Sequence, residues 1–143
     1  MAKPPTKAFP RVEVVAQEDG DRTEVIEKFA SACYGKDGIE KPDFDHIFRE
    51  HKQPETMPQK CLITCMQEQV EIIKGDKFQP ETFKAIVRGA VNDEKHNHVI
   101  DEIAKECASV TDVNRCEQGM KLSVCYKETA EKHGVDFDKL HGM

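Results

Sequence analysis

Tryptophan is absent from this sequence, and aromatic residues make up only 6% of it. Large stacking platforms for bases or sugars are therefore not expected. Basic residues are in the minority, because 21 Lys and Arg stand against 27 Asp and Glu, for a formal net charge of −6. A protein that binds nucleic acid needs a basic surface, so this balance argues against that class.

Long apolar runs are missing as well. No segment approaches the about 20 consecutive apolar residues that span a bilayer, and the mean hydropathy is −0.65. Both observations exclude a transmembrane protein. The residues after Met1 also lack the apolar centre of a secretory leader. We expect a secreted, extracellular mature chain whose leader has been removed and which carries an added initiator methionine.

Cysteine is the residue that the sequence does supply, with six in a chain of 143 residues. An even number in so small a chain favours disulfides and an oxidising compartment. If all of them pair, no free thiol remains to act as a catalytic nucleophile. No glycine-rich phosphate loop is present either. We expect no enzyme activity, no catalytic residue and no cofactor.

Apolar residues recur with a helical period along the chain after about residue 20. The pattern predicts an all-α fold of about six amphipathic helices and no β-hairpin. Each predicted helix opens with a capping residue or a proline. The predicted starts are Asp21 with Glu24, Pro42 with Asp43, Thr56 with Gln59, Pro80, Asn92, and Thr111 or Asp112.

The predicted domain organisation is a single helical domain over residues 21–143. It ends in a C-terminal tail, residues 134–143. Residues 1–20 hold Pro4, Pro5 and Pro10 and predict an extended or disordered N-terminal arm.

The cysteine positions restrict the possible disulfides without choosing among them. Cys61 and Cys65 are i and i+4 on one predicted helix and point the same way, so they should bond to neighbouring helices rather than to each other. Cys116 and Cys125 lie on opposite sides of the last helix, which should be tied to two different neighbours.

The spacing C-x27-C-x3-C-x41-C-x8-C-x8-C, from Cys33 to Cys125, resembles the six-cysteine pheromone and general class of insect odorant-binding proteins. The x3 and final x8 spacings are the tightest constraints of that family. The resemblance implies helices that enclose an apolar cavity and are stapled by interlocked disulfides. The implied pairs are Cys33–Cys65, Cys61–Cys116 and Cys107–Cys125.

The resemblance also implies a function. A member of this family is a secreted carrier that binds, solubilises and releases small hydrophobic ligands such as odorants, pheromones or fatty acids. The expected partner is a small apolar ligand and not a nucleic acid. Whether a membrane receptor is a further partner stays open. Whether the protein is a monomer or a weak homodimer stays open as well. The candidate ligand-binding residues are Phe29, Phe48, Leu62, Met66, Phe83, Ile86, Val87, Met120, Val124 and Phe137.

Two alternatives remain beside the carrier. The first is a helical, disulfide-rich extracellular protein with a filled core that acts through surface protein contacts. The second is a scavenger of amines or lipids in saliva or haemolymph. An acidic group in the pocket would favour amines, and a basic group would favour fatty acids. Tyr34 and Tyr126 are candidates for a hydroxyl that orients the ligand.

The histidine pair and the tail complete the candidate features. Residues two apart on a helix point roughly 200° away from each other, so we expect no metal site at His96 and His98. His96 is interpreted as an ordinary or a pH-responsive histidine. The tail is either a mobile end or a pH-sensitive lid over the pocket. The residues of the lid hypothesis are Val135, Asp136, Phe137, Asp138, Leu140 and His141.

Overall fold

The computed structural model describes residues 19–91 and 93–137. The fold is all-α, as predicted. The predicted N-terminal arm up to residue 18, the predicted cap Asn92, and residues 138–143 lie outside the described residues. None of the described helices is long and apolar enough to cross a membrane. The helices are α1 (Asp19–Ala30), α2 (Lys41–Phe44), α3 (Met57–Gln69), α4 (Pro80–Val91), α5 (Asn97–Cys107) and α6 (Arg115–Lys132).

Helix α3 begins at the predicted capping box. The backbone N–H of Gln59 donates to Thr56 Oγ1 at 3.3 Å, and the Gln59 side-chain oxygen accepts from the Thr56 N–H at 3.1 Å. Pro58 stands in the first turn, where a missing N–H has no helical partner to lose. Local sequence therefore sets this helix start.

The predicted start of the last helix is wrong by a few residues. The cap is Asn114, whose side-chain oxygen accepts from the backbone N–H groups of Cys116 and Glu117. Asp112 instead accepts from the backbone N–H of Asn114. Val113, which the sequence pattern places on the apolar stripe, precedes α6 and is fully exposed.

The second helix is shorter and less regular than predicted. After α2 the chain makes a π-helical turn over Asp45–Arg49. His51 lies beyond this turn with φ of 57°, in the left-handed region. It therefore does not continue the helical stripe of Phe44 and Phe48, as the sequence pattern predicts.

A short hairpin follows α3, although the sequence pattern predicts no hairpin. Strands β1 (Ile73–Lys74) and β2 (Lys77–Phe78) pair antiparallel, with Ile73 opposite Phe78. Between them Gly75 and Asp76 have φ of 59° and 65°, as a two-residue hairpin turn requires. Strands of two residues are too short to show the alternation of apolar and polar residues that predicts a strand. The Gly75-Asp76 pair is therefore the one feature of this segment that indicates a hairpin.

Three disulfides connect the helices, and their pairs are those that the family resemblance implies. Cys33, in a 3₁₀ turn after α1, bonds to Cys65 of α3. The Cys61–Cys116 bond joins α3 to α6, and the Cys107–Cys125 bond joins α5 to α6. Helix α3 is thus tied to two partners, and so is α6.

The buried apolar side chains form two separate cores. The first, the disulfide core, surrounds Phe44 and Leu62 and contains Cys33–Cys65 and Cys61–Cys116. The second, the C-terminal core, is built from the hairpin and from α4, α5 and α6 around Phe83 and Leu122.

An ion-pair network holds α1 against the segment after it. Glu27 accepts from Arg49 at 2.9 Å, from Lys41 at 3.1 Å and from the Tyr34 hydroxyl at 3.0 Å. Burial by itself raises the pKa of Glu27, but these donors lower the pKa overall. The contribution of Glu27 to stability is therefore present above its unfolded-state pKa and is lost as pH falls through the lowered value.

Candidate ligand-binding cavity

A cavity of about 640 Å³ lies between the two cores. One side is formed by partly buried residues that pack on the disulfide core, among them Ile26, Phe48 and Met66. The other side is formed by the C-terminal core, including Phe83 and Val87. The remaining lining residues are Thr23, Ile47, His51, Lys52, Gln53, Pro54, Ile63, Gln67, Ile72, Ile86, Ala90, Met120, Ser123, Val124, Tyr126, Lys127 and Phe137.

Most of the predicted ligand-binding residues line this cavity. Leu62 does not, because its side chain is fully buried inside the disulfide core. Phe29 is half-buried on α1 and is not among the lining residues. That the lining residues contact a ligand stays a prediction. The predicted residues that line the cavity are Phe48, Met66, Phe83, Ile86, Val87, Met120, Val124 and Phe137.

A loop that the sequence pattern does not predict forms one edge of the cavity. Residues His51, Lys52, Gln53 and Pro54 line it, yet they follow the π-helical turn and belong to no helix. Helical periodicity selects faces of helices, and it carries no information about a connecting segment. The Gln53-Pro54 pair indicates only that a helix ends there.

One polar pair lies within the cavity wall. The Tyr126 hydroxyl donates to the Gln67 side-chain oxygen at 2.6 Å, and the Gln67 amide donates to the Gly119 carbonyl at 3.1 Å. Burial raises the pKa of Tyr126 well above its ordinary value, so the phenol stays neutral. Its O–H is already engaged, which leaves the oxygen as an acceptor for a ligand. Tyr34, the other candidate hydroxyl, is not a lining residue and donates to Glu27.

Basic side chains line the cavity. His51, Lys52 and Lys127 line it, whereas no Asp or Glu does so within the described ranges. A second, polar groove of about 520 Å³ shares Gln53, Lys127 and Phe137 with the cavity and brings in two carboxylates, those of Glu131 and Asp136.

The start of the C-terminal tail contributes to the cavity wall. Phe137 is buried, and its ring centroid lies 5.7 Å from that of Tyr126. Val135 packs against the C-terminal core. Three residues of the lid hypothesis, Asp138, Leu140 and His141, lie outside the described residues. Gating by the tail therefore stays a prediction.

The histidine pair and the cysteines do not line the cavity. His96 is half-buried, its Nε2 lies 3.8 Å from the Asp93 carboxylate, and it does not line the cavity. His98 is exposed. All six cysteines are held in disulfides.

Comparison with known proteins agrees with this architecture. Residues 16–129 match the model of the PBP/GOBP family. A general odorant-binding protein 2 of Manduca sexta is 26% identical over 98 residues, which cover 65% of this chain and 60% of that protein. The match thus spans about three-fifths of that relative.

Solved structures with the same fold include an odorant-binding protein of Drosophila melanogaster. Its TM-score is 0.66 at 21% identity, and the match covers 82% of this chain and 99% of that chain. A fatty acid binding protein from the oral disk of the blowfly Phormia regina gives a TM-score of 0.64 at 14% identity. That match covers 81% of this chain and 97% of the blowfly chain.

Proposed function

Because this chain belongs to the PBP/GOBP family, we propose that it is a secreted carrier that binds, solubilises and releases small hydrophobic ligands. The observation that carries the proposal is the largely apolar cavity between the two cores. Three disulfides fit an extracellular protein, because such bonds persist in oxidising compartments.

The size of the cavity supports a small organic ligand. Its volume of about 640 Å³ falls within the range of roughly 300–1,000 Å³ that is usual for such sites. Burial of each methylene group contributes about 0.8 kcal/mol to binding. Binding is therefore driven mainly by removal of apolar ligand surface from water, and no chemical step is involved.

The polar groups of the cavity favour a fatty-acid-like ligand over an amine. Lys52 and Lys127 are the charged side chains of the described lining, and a carboxylate would be attracted to them. Lys52 also pairs with exposed Glu50 at 3.1 Å, so an anionic head group would share or displace that partner. The hydroxyl oxygen of Tyr126 lies deeper in the wall and can accept a hydrogen bond from a hydroxyl group of the ligand.

We expect a tryptophan at position 124 to obstruct the cavity. Val124 lines it from α6, so the indole of Val124→Trp would occupy ligand volume. Loss of burial for two methylene groups is enough to weaken binding about tenfold. The measurement is a titration of delipidated, oxidised protein with an apolar fluorescent probe near pH 7.

Val113→Trp is the matched control, because Val113 is fully exposed and does not line the cavity. It should bind the probe as the original protein does. Equal affinity of the two tryptophan variants, both folded, would show that the probe binds elsewhere. If the unmodified protein binds no apolar probe at all, the filled-core alternative takes the place of the carrier.

The basic residues give a second prediction. A double variant, Lys52→Met with Lys127→Met, should lose about tenfold in affinity for a long-chain fatty acid, since a charge-assisted contact contributes about 1.5–3 kcal/mol. Affinity for the primary alcohol of the same chain length should change little. Competition against the fluorescent probe measures both ligands.

Lys105→Met is the control, because Lys105 is exposed on α5 and does not line the cavity. If the double variant loses as much affinity for the alcohol as for the acid, the lysines act through packing. A carboxylate ligand would then no longer be supported.

A further inference from the structure

Two carboxylates and an imidazole converge on a surface away from the cavity. Glu102, Glu106 and His133 each offer one ligand atom, and these atoms all lie within 4.8 Å of one another. Glu102 and Glu106 are i and i+4 on α5, so they share one face of that helix. His133 is the C-cap of α6. None of the three lines the cavity.

The two helices that supply these groups are fixed against each other. The Cys107–Cys125 disulfide joins α5 to α6, and Cys107 directly follows Glu106. The ring of His98, one turn before Glu102, meets the ring of His133 edge-on at 5.8 Å between centroids. This contact restricts the orientation of the His133 imidazole.

The charge in this cluster is incompletely balanced. Lys132 donates to Glu106 at 2.7 Å. Glu102 is half-buried, yet no hydrogen bond or ion pair reaches its carboxylate from residues 19–91 or 93–137. Like charges at i and i+4 repel each other on a helix. A cation between the carboxylates would relieve that repulsion.

From this arrangement we infer that Glu102, Glu106 and His133 form a binding site for a divalent transition-metal ion of the zinc type. Imidazole together with carboxylate suits Zn²⁺ better than the all-oxygen sets of Ca²⁺ or Mg²⁺. Two ligands of a tetrahedral zinc ion lie about 3.4 Å apart. Small side-chain rotations would therefore bring the three ligand atoms to this distance from one another. Water would complete the coordination.

This site differs from the histidine pair of the sequence. It uses neither His96 nor His98 as a ligand, and it needs a residue from each of two helices. The expectation of no metal site came from positions on one helix alone. His133 is far from Glu102 in the sequence, and only the packing of α5 against α6 brings them together.

The test is calorimetric titration of the oxidised full chain with zinc chloride. We expect binding of one ion per chain. The affinity should fall more than about tenfold in His133→Ala, because even an outer-shell partner of a metal contributes about that much. Lys132→Met should bind zinc more tightly, because it removes the cation that competes for Glu106. Zinc should also raise the thermal midpoint of the original protein but not that of His133→Ala.

His96→Ala is the control, since it removes a histidine outside the cluster and should leave zinc binding unchanged. Circular dichroism establishes that each variant is folded before titration. The site is disproved if the original protein binds no zinc. It is equally disproved if His133→Ala binds zinc as the original protein does.

Discussion

Loss of the Cys61–Cys116 disulfide is expected to destabilise this protein by about 4 kcal/mol in the chain-entropy model, since the bond closes a loop of 55 residues. Folded domains have only about 5–15 kcal/mol of stability. The double variant Cys61→Ala with Cys116→Ala should therefore lose a large share of the stability of the original protein. Urea unfolding followed by helical circular dichroism measures the change.

The matched control removes the disulfide that closes the shortest of the three loops. The Cys107–Cys125 bond spans 18 residues and should contribute about 3 kcal/mol by the same relation. Cys107→Ala with Cys125→Ala should therefore be the more stable of the two double variants. Full reduction of all three bonds should melt the helices or greatly lower their midpoint. Unchanged stability in excess reductant would contradict this account.

The disulfides matter here because the fold keeps a cavity instead of a continuous core. Apolar residues that line open space lose packing contacts, and each lost contact reduces stability. The cavity of about 640 Å³ separates the disulfide core from the C-terminal core. The Cys61–Cys116 bond joins α3 to α6, which both contribute to its wall, and holds it open without that packing.

Gly119→Ala is expected to destabilise the protein by about 3 kcal/mol, at the upper end of the usual range for an overpacked core position. A Cβ atom at this position would lie 1.8 Å from Thr64 Oγ1, 2.6 Å from its Cβ and 2.8 Å from its Cα. Because the last of these is backbone, α3 itself would have to move away from α6. The movement would also break the hydrogen bond of 3.1 Å from Thr64 Oγ1 to the Cys116 carbonyl.

Gly89→Ala provides the contrasting control. Gly89 also lies within a helix, but a Cβ there meets nothing within 4 Å. Alanine is the better helix former, so this change should stabilise the protein by roughly 0.5–1 kcal/mol. Urea midpoints compare the two variants. Gly119→Ala as stable as the original protein would mean that α3 and α6 do not approach as closely as described.

A second substitution separates the clash from a simple loss of helix stability. Thr64→Ala removes the nearest atom, Oγ1, but leaves the Cβ at 2.6 Å. In the Gly119→Ala background it should restore part of the stability, so that the two changes are not additive. Additive effects would assign the defect to a cause other than this contact.

Local sequence determined several features by itself. The capping box of Thr56 and Gln59 sets the start of α3, because both partners lie within one turn. The cysteine spacing indicates the family, and the structure has the implied disulfide pairs. Most of the predicted ligand-binding residues, chosen mainly from apolar helix faces, also line the cavity, since an amphipathic face must pack against something.

Other features depend on contacts that local patterns do not contain. Leu62 and Met66 are one turn apart on α3, yet Leu62 is buried in the disulfide core and Met66 lines the cavity. Hydrophobicity is the same requirement in both places, so it cannot separate a core residue from a lining residue. Whether a residue of α3 lies in a core or lines the cavity depends on which other elements face its side chain.

The tertiary structure alone also decided which polar groups meet. The loop at His51 and Lys52 comes to face α6 and supplies basic groups at the cavity. The Glu102–Glu106–His133 cluster likewise joins residues of two helices. Sequence determines short-range hydrogen bonds and the apolar face of each helix, because these depend on neighbours within a few residues. The cavity, its charge and the surface cluster arise from long-range packing, which sets the distances between residues far apart in the chain.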